Sequence, residues 1–116
     1  MAIKGERRRL GFFGEGRAVK FLKRSGYKIL KRNYKCPFGE IDVIAQKGEV
    51  ICFVEVKTRT GDYFGAPNEA VNRDRQSRYK NSARYYFANA EVNFVVRFDI
   101  IEVTKEGVNH IENAFY

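Results

Sequence analysis

At 116 residues the chain has the size of one domain, 1–116, able to bury a single core without disulfide or metal staples. Two cysteines and one histidine exclude a zinc site of four side chains, and no apolar run approaches the length of a membrane span. The net charge of +8 is uneven: through Lys35 there are 12 Lys and Arg against 2 acids, and over the remaining 81 residues 10 against 12.

A basic first third on a nearly neutral body suits a polyanionic partner, nucleic acid ahead of an acidic membrane surface. A solvated, solubilising face would carry the same charge. From Gly5 to Arg24, Leu10, Phe13, Gly14, Ala18, Phe21 and Leu22 recur at helical spacing. The spacing predicts a helix with one apolar stripe and a basic face that includes Arg7, Arg8, Arg9 and Arg17, ended by Ser25-Gly26. That periodicity argues against a transit peptide, and the start has no apolar stretch of a secretory signal. Glu15 lies at the edge of the stripe, beside Ala18 and Val19. It either rims the face or reaches a neighbouring site. Tyr27 to Tyr34 reads as a first strand, with Pro37 and Gly39 as turn residues.

The stretch Gly39 to Arg59, GEIDVIAQKGEVICFVEVKTR, reads as two strands joined by a turn at Gln46 to Glu49. Strand alternation puts Val50, Cys52, Val54 and Val56 on one face and Ile51, Phe53, Glu55 and Lys57 on the other. The preceding strand divides into Ile41, Val43 and Ala45 against Glu40, Asp42 and Ile44, so a hairpin register brings Asp42 beside Glu55 and Lys57. Two neighbouring carboxylates repel unless one is protonated or a cation lies between them. Hard oxygen donors without a Cys or His cluster point to Mg2+ or Mn2+. Lys57 would then supply a fixed positive charge for an attacking water or a phosphoryl oxygen. An ordinary cross-strand ion pair would show the same pattern around Lys57. Cys52, on the inward face, reads as a reduced, small apolar group, which fits a reducing, cytoplasmic compartment.

Thr58 to Pro67 reads as a polar, Gly-rich loop, and Asn68 as the cap of a helix running to about Ala90. Tyr79, Ala83, Tyr86, Phe87 and Ala90 form its apolar stripe. Its first half carries Arg73, Arg75, Gln76, Arg78 and Lys80, close to Arg59 at the end of the Lys57 strand. This is a second candidate surface for phosphates, or simply a solvated helix face. Val92 to Val103 and Val108 to Phe115 alternate as two strands around a turn at Lys105-Glu106-Gly107. The predicted order αβββαββ makes an α/β mixed sheet covered by helices, with the strand after the crossover helix parallel to the third.

The motifs GEGRAVKFLKRSGYKILKRNY, GEIDVIA, VICFVEVKTR, FGAPNEAVN and RFDIIEV together resemble the YraN-like family of bacterial proteins over nearly the whole chain. That family is assigned to the restriction-endonuclease-like superfamily, with the signature PD-(D/E)xK, and is similar to archaeal Holliday junction resolvases. The resemblance implies Asp42 as the signature aspartate, Glu55 as the second metal ligand, Lys57 as the signature lysine and Glu15 as the acid of the first helix. Ile41 stands where the signature has proline. Gln76 matches a polar position on the later helix, and Glu40 is an auxiliary acid or the entrance to its strand.

What the resemblance implies is a metal-dependent endonuclease, resolvase-like on branched DNA. Asp42, Glu55 and the Val56 carbonyl would hold Mg2+ or Mn2+, and Glu15 would place a second ion or a water. Adjacent carboxylates push a lysine above ~10.4, which favours Lys57 as an orienting charge over a general base. Cutting two strands implies a two-fold homodimer on nucleic acid, DNA ahead of RNA, selected by shape. Phe12, Tyr34, Tyr63 and Phe64 either stack on unpaired bases or pack. Rival readings are a non-catalytic DNA- or RNA-binding partner that keeps the fold and an assembly protein with no nucleic-acid role.

Overall fold

The computed structural model describes residues 4–59, 73–88 and 93–115, and in the first helix the side chains from Gly14 onward. Its elements are α1 (Lys4–Arg24), β1 (Lys28–Cys36), β2 (Gly39–Lys47), β3 (Val50–Thr58), α2 (Arg73–Tyr86), β4 (Val95–Thr104) and β5 (Gly107–Phe115). The strands form one sheet in chain order, β1 to β5. β3 and β4 pair in parallel and the other neighbours antiparallel, which is the predicted mixed sheet. Asn68, most of the Thr58 to Pro67 loop, and Ala90 lie outside the described residues.

Local chemistry sets the corners. α1 stops where Tyr27 N–H bonds the Leu22 carbonyl at 2.9 Å and Gly26 N–H bonds the Lys23 carbonyl at 3.1 Å. That pair of bonds needs a left-handed residue, and Gly26 supplies it with φ 92°. The β2–β3 hairpin closes between the partners Lys47 and Val50, with Gly48 at φ 58° in the loop.

The sheet buries both faces. On one, Ala18, Val19 and Leu22 of α1 pack on Val43, Ala45, Cys52, Val54, Ile101 and Val103. On the other, Tyr79 and Ala83 of α2 pack on Ile41, Ile44, Ile51, Phe53, Ile100 and Phe115. β3 is therefore divided as expected, its valines and Cys52 toward α1 and Ile51 and Phe53 toward α2. Each fully buried side chain of the size of Leu22 or Phe53 contributes roughly 1.5–3 kcal/mol.

In β2 the alternation fails. Strict alternation puts Ile41 on the face of Val43 and Ala45, yet it packs with Ile44 against α2. The ladder to β3 ends at Val43 opposite Val54. Across β1, the pairs Arg32 with Val43 and Tyr34 with Ile41 leave Asn33 and Asp42 between them, and Asn33 takes a left-handed φ of 52°. β2 leaves β3 at Asp42, at the level of this left-handed residue of β1.

A close approach anchors α1 over this opening. A Cβ on Gly14 would lie 1.9 Å from Thr58 Oγ1, so only glycine lets the helix meet the end of β3 there. Glu15 is thereby carried to the margin of the opening.

A separate polar cluster ties β4 to β5 under α1. Asp99, fully buried, accepts from Arg97 Nε at 2.9 Å and Arg97 Nη2 at 2.8 Å, from Asn113 N–H at 2.9 Å, and bonds His110 Nε2 at 2.7 Å. Burial by itself would raise the Asp99 carboxyl, but the bonds from His110, Arg97 and the Asn113 amide hold it below its ordinary value. Arg97 Nη2 also reaches Tyr27 Oη at 2.6 Å and Cys52 Sγ at 3.2 Å. Cys52 is free, and its burial, with the Asp99 charge nearby, pushes the thiol up to about 12. The thiol stays protonated and buried as expected, but it also accepts a bond from Arg97 and so belongs to this polar cluster rather than being a purely apolar group.

Candidate acid-pair site at the splayed sheet

Where β2 leaves β3, the amide of Val56 has no strand partner, and the Asp42 side chain takes its place. Val56 N–H donates to Asp42 Oδ2 at 2.8 Å. Asp42 thus lies at the mouth of the opening, just past the last ladder pair Val43 and Val54 and within electrostatic reach of Glu55. Burial, and then the neighbouring Glu55 charge, raise the Asp42 carboxyl from 3.8 to about 7, against the lowering effect of the Val56 amide.

Glu55 is 1% exposed and projects toward α2. Three donors surround it. Tyr79 Oη donates to Oε2, while Lys57 Nζ stands 3.3 Å and Arg75 Nη2 2.9 Å from Oε1. Burial first, then the charges of Glu55 and Asp42, raise the Tyr79 phenol well above its ordinary value, so it remains a donor at neutral pH. Arg75 leads outward to a cleft of about 330 Å³ lined also by Glu40, Asp74, Arg78 and Tyr79.

Glu15 is 7% exposed and stands on the other face of the opening. Its Oε1 accepts from Asn33 Nδ2 at 2.9 Å and Arg32 Nε at 3.4 Å. Its charge contributes to the raised Asp42 carboxyl, which sets it within electrostatic reach of the pair. Among the described residues, no three His, Cys, Asp or Glu side chains converge as a ready-made metal cluster. Asp42 and Glu55 are brought together, and Glu15 is turned toward β1.

The basic residues divide by what they touch. Arg75 serves the acid pair, and Arg78 pairs with Asp74 at 3.2 Å on the exposed side of α2. Arg73 is exposed and Gln76 half-buried on the same helix. Arg17 is committed to the fold, donating from Nη1 to the Thr104 carbonyl at 2.7 Å. Arg59 extends the β3 ladder, its N–H reaching the Val103 carbonyl at 2.8 Å. The side chains of Arg7, Arg8, Arg9 and Phe12, and all of Tyr63 and Phe64, lie outside the described residues. Tyr34 packs edge-on against Tyr86, with ring centroids 5.4 Å apart, in the core beneath α2.

Sequence reasoning misses two participants, Tyr79 and Asn33, and one neighbouring acid. In the sequence Tyr79 is one more member of an apolar stripe, and Asn33, which holds Glu15, is an ordinary strand residue. Glu102 on β4 escapes notice too, although counting two positions on from Ile100 places it on the face of Glu55 and Lys57.

A five-stranded mixed sheet in the order αβββαββ, with an acid pair and a lysine where its strands part, defines an α/β protein of the restriction-endonuclease-like fold. The chain belongs to the Uncharacterised protein family UPF0102, which matches residues 14–103. It is similar to a UPF0102 protein of Thermodesulfovibrio yellowstonii, 45% identical over 107 residues that cover 92% of this chain and 96% of that one. A UPF0102 protein of Caldanaerobacter subterraneus is 46% identical over 120 residues, covering 97% and 98%. One from Clostridium perfringens is 41% identical over 120 residues, with the same coverage. The YraN-like resemblance read from the motifs is borne out by this membership.

Proposed function

We propose that this protein binds nucleic acid and hydrolyses phosphodiester bonds as a metal-dependent endonuclease, resolvase-like on branched DNA. The carrying observation is the pair of neighbouring acids, with Asp42 raised to about 7 by burial and by Glu55. A cation relieves that conflict, and an all-oxygen donor set suits Mg2+ or Mn2+. Asp42, Glu55 and the Val56 carbonyl are the groups that would hold the ion, with Glu15 behind them. When bound, such an ion lowers the pKa of water and offsets charge developing on the phosphate.

The remaining work falls to side chains. Val56 N–H fixes Asp42 by its Oδ2 oxygen. Tyr79 holds Glu55 by its other oxygen, Oε2, and so orients the carboxylate without adding charge. Lys57 gives the fixed positive neighbour for a phosphate oxygen, and removing one such group costs about 100-fold to 1000-fold in rate. Arg75 and Arg78 line the adjoining cleft together with Glu40 and Asp74, and would be the groups there that meet a phosphate backbone. A two-fold homodimer would present paired sites to paired strands. The free thiols of Cys36 and Cys52 suit a reducing, cytoplasmic compartment.

The test incubates purified protein with Mg2+ or Mn2+ and a panel of duplex, single-stranded, flap and four-way-junction DNA plus structured RNA. Cleavage that Asp42→Ala and Lys57→Ala abolish is the expected result. Equal cutting by those variants would sink the nuclease reading. A second reading, a non-catalytic DNA- or RNA-binding partner, is favoured by one observation: Lys57 and Arg75 already neutralise Glu55. It requires salt-sensitive binding to the same panel with no cleavage.

A further inference from the structure

Glu102 is fully buried, and among the described residues neither of its carboxylate oxygens has a hydrogen-bond partner. A buried carboxylate without a partner is a costly arrangement, so its surroundings should include a group that can reach it in another state of the site. In the parallel β3–β4 ladder, Glu102 stands directly opposite Lys57. Neighbouring strands are about 4.7–4.9 Å apart, and alternation puts both side chains on the α2 face. Ile100 belongs to the core on that face, and Ile101 and Val103 to the core on the other. Arg59, two positions beyond Lys57, also has a buried Nε without a partner.

Lys57 itself leans the other way, with Nζ 3.3 Å from Glu55 Oε1. That oxygen is shared with Arg75 at 2.9 Å. Among the described residues, one carboxylate thus holds two cations while the next acid on the same face holds none. A divalent ion on Glu55 would meet the Lys57 ammonium head-on. A lysine side chain, with its flexible stem, relieves the clash by turning to the strand beside it.

We propose that Glu102 is a positioning residue for Lys57: it is the second seat of the Lys57 ammonium, taken when Glu55 turns to a divalent cation. The inference rests on the reading of Asp42 and Glu55 as cation ligands. In the cation-free protein Lys57 neutralises Glu55 and keeps the acid pair from flying apart. With the ion bound, Lys57 moves across the ladder, pairs with Glu102 and presents its charge at a fixed point beside the site. The switch conserves the number of ion pairs on this face, because the bond that Glu55 gives up to the ion is made again at Glu102.

Titration calorimetry with Mn2+ on the parent, Glu102→Gln, Lys57→Ala and the double variant tests this. Groups that support a metal ligand typically contribute about 10-fold to 100-fold in affinity. Glu102→Gln is therefore expected to weaken Mn2+ binding about 10-fold in the parent, and far less once Lys57 is already alanine. A loss of equal size in both backgrounds, or none in either, overturns the proposal while leaving the cation site intact. A parent that binds no Mn2+ overturns the cation reading and this inference together. Should Glu102→Gln fail to fold, the parent supplies the measurement. The carboxyl carbon resonance of Glu102 is expected to shift on adding Mg2+ and to stay fixed in Lys57→Ala, and a Glu102 resonance unmoved by Mg2+ in the parent refutes the switch.

Discussion

Replacing Asp42 with asparagine should make the cation-free protein more stable, and only at neutral to alkaline pH. The Asp42 carboxyl is raised from 3.8 to about 7. A folded carboxyl that holds its proton more tightly than the unfolded one contributes stability that is complete below about pH 3.8 and lost as the pH climbs through about 7. Three pH units at 1.36 kcal/mol each put the penalty on the ionised parent at ~4 kcal/mol. The substituted side chain keeps an oxygen for the Val56 amide but brings an N–H₂ group that needs a partner, at a cost of about 1 kcal/mol. The expected net gain of Asp42→Asn is roughly 2–4 kcal/mol above about pH 8, shrinking toward zero or slightly below it at about pH 4. Urea unfolding of both proteins across that range, with a chelator present, measures the difference. A gap that stays constant with pH, or a variant less stable than the parent at about pH 8, would refute the account of Asp42 given by burial and Glu55.

Tyr79→Phe removes the neutral donor from a carboxylate that is 1% exposed. It should lower the urea midpoint by the equivalent of about 1–3 kcal/mol. Arg97→Ala leaves Asp99 charged and fully buried and is expected to cost about 3–5 kcal/mol in the same assay. The lowered Asp99 carboxyl gives the opposite pH behaviour to Asp42: its contribution is present above the ordinary aspartate value and is lost as the pH falls through the folded one, so Asp99→Asn should flatten the acid limb of the stability curve. Gly14→Ala drives a methyl into Thr58 Oγ1. Thermal unfolding should show a loss of about 1–3 kcal/mol from overpacking, less the ~1 kcal/mol by which alanine favours a helix.

Much of the fold is legible in the sequence because its signals are periodic. β3 reads off its alternation from Val50 to Lys57, since one face of it is apolar throughout and the other changes character only at Glu55. The crossover helix between two apolar strands dictates the parallel pairing of β3 and β4. The opening at Asp42 is not legible, because nothing in the alternation from Gly39 to Lys47 marks where the ladder between β2 and β3 ends. Side-chain partnerships are hidden for the same reason. Nothing local distinguishes Arg75, which touches Glu55, from Arg78, which touches Asp74. Periodicity places Tyr79 on the right face, but an apolar stripe says nothing of where a phenol oxygen ends. Glu15 stands out as an exception to its stripe, while the amide of Asn33 that claims it emerges only in the folded chain.

Amides in the middle of a sheet exchange with solvent only as their ladder opens, and their acceptors are carbonyls that never titrate. Val56 is exceptional because its acceptor, Asp42 Oδ2, belongs to a carboxyl that gains and loses a proton near neutrality. Its amide proton is thus a built-in spectroscopic gauge, near the end of β3, of whether the Asp42 carboxyl holds its proton or has lost it.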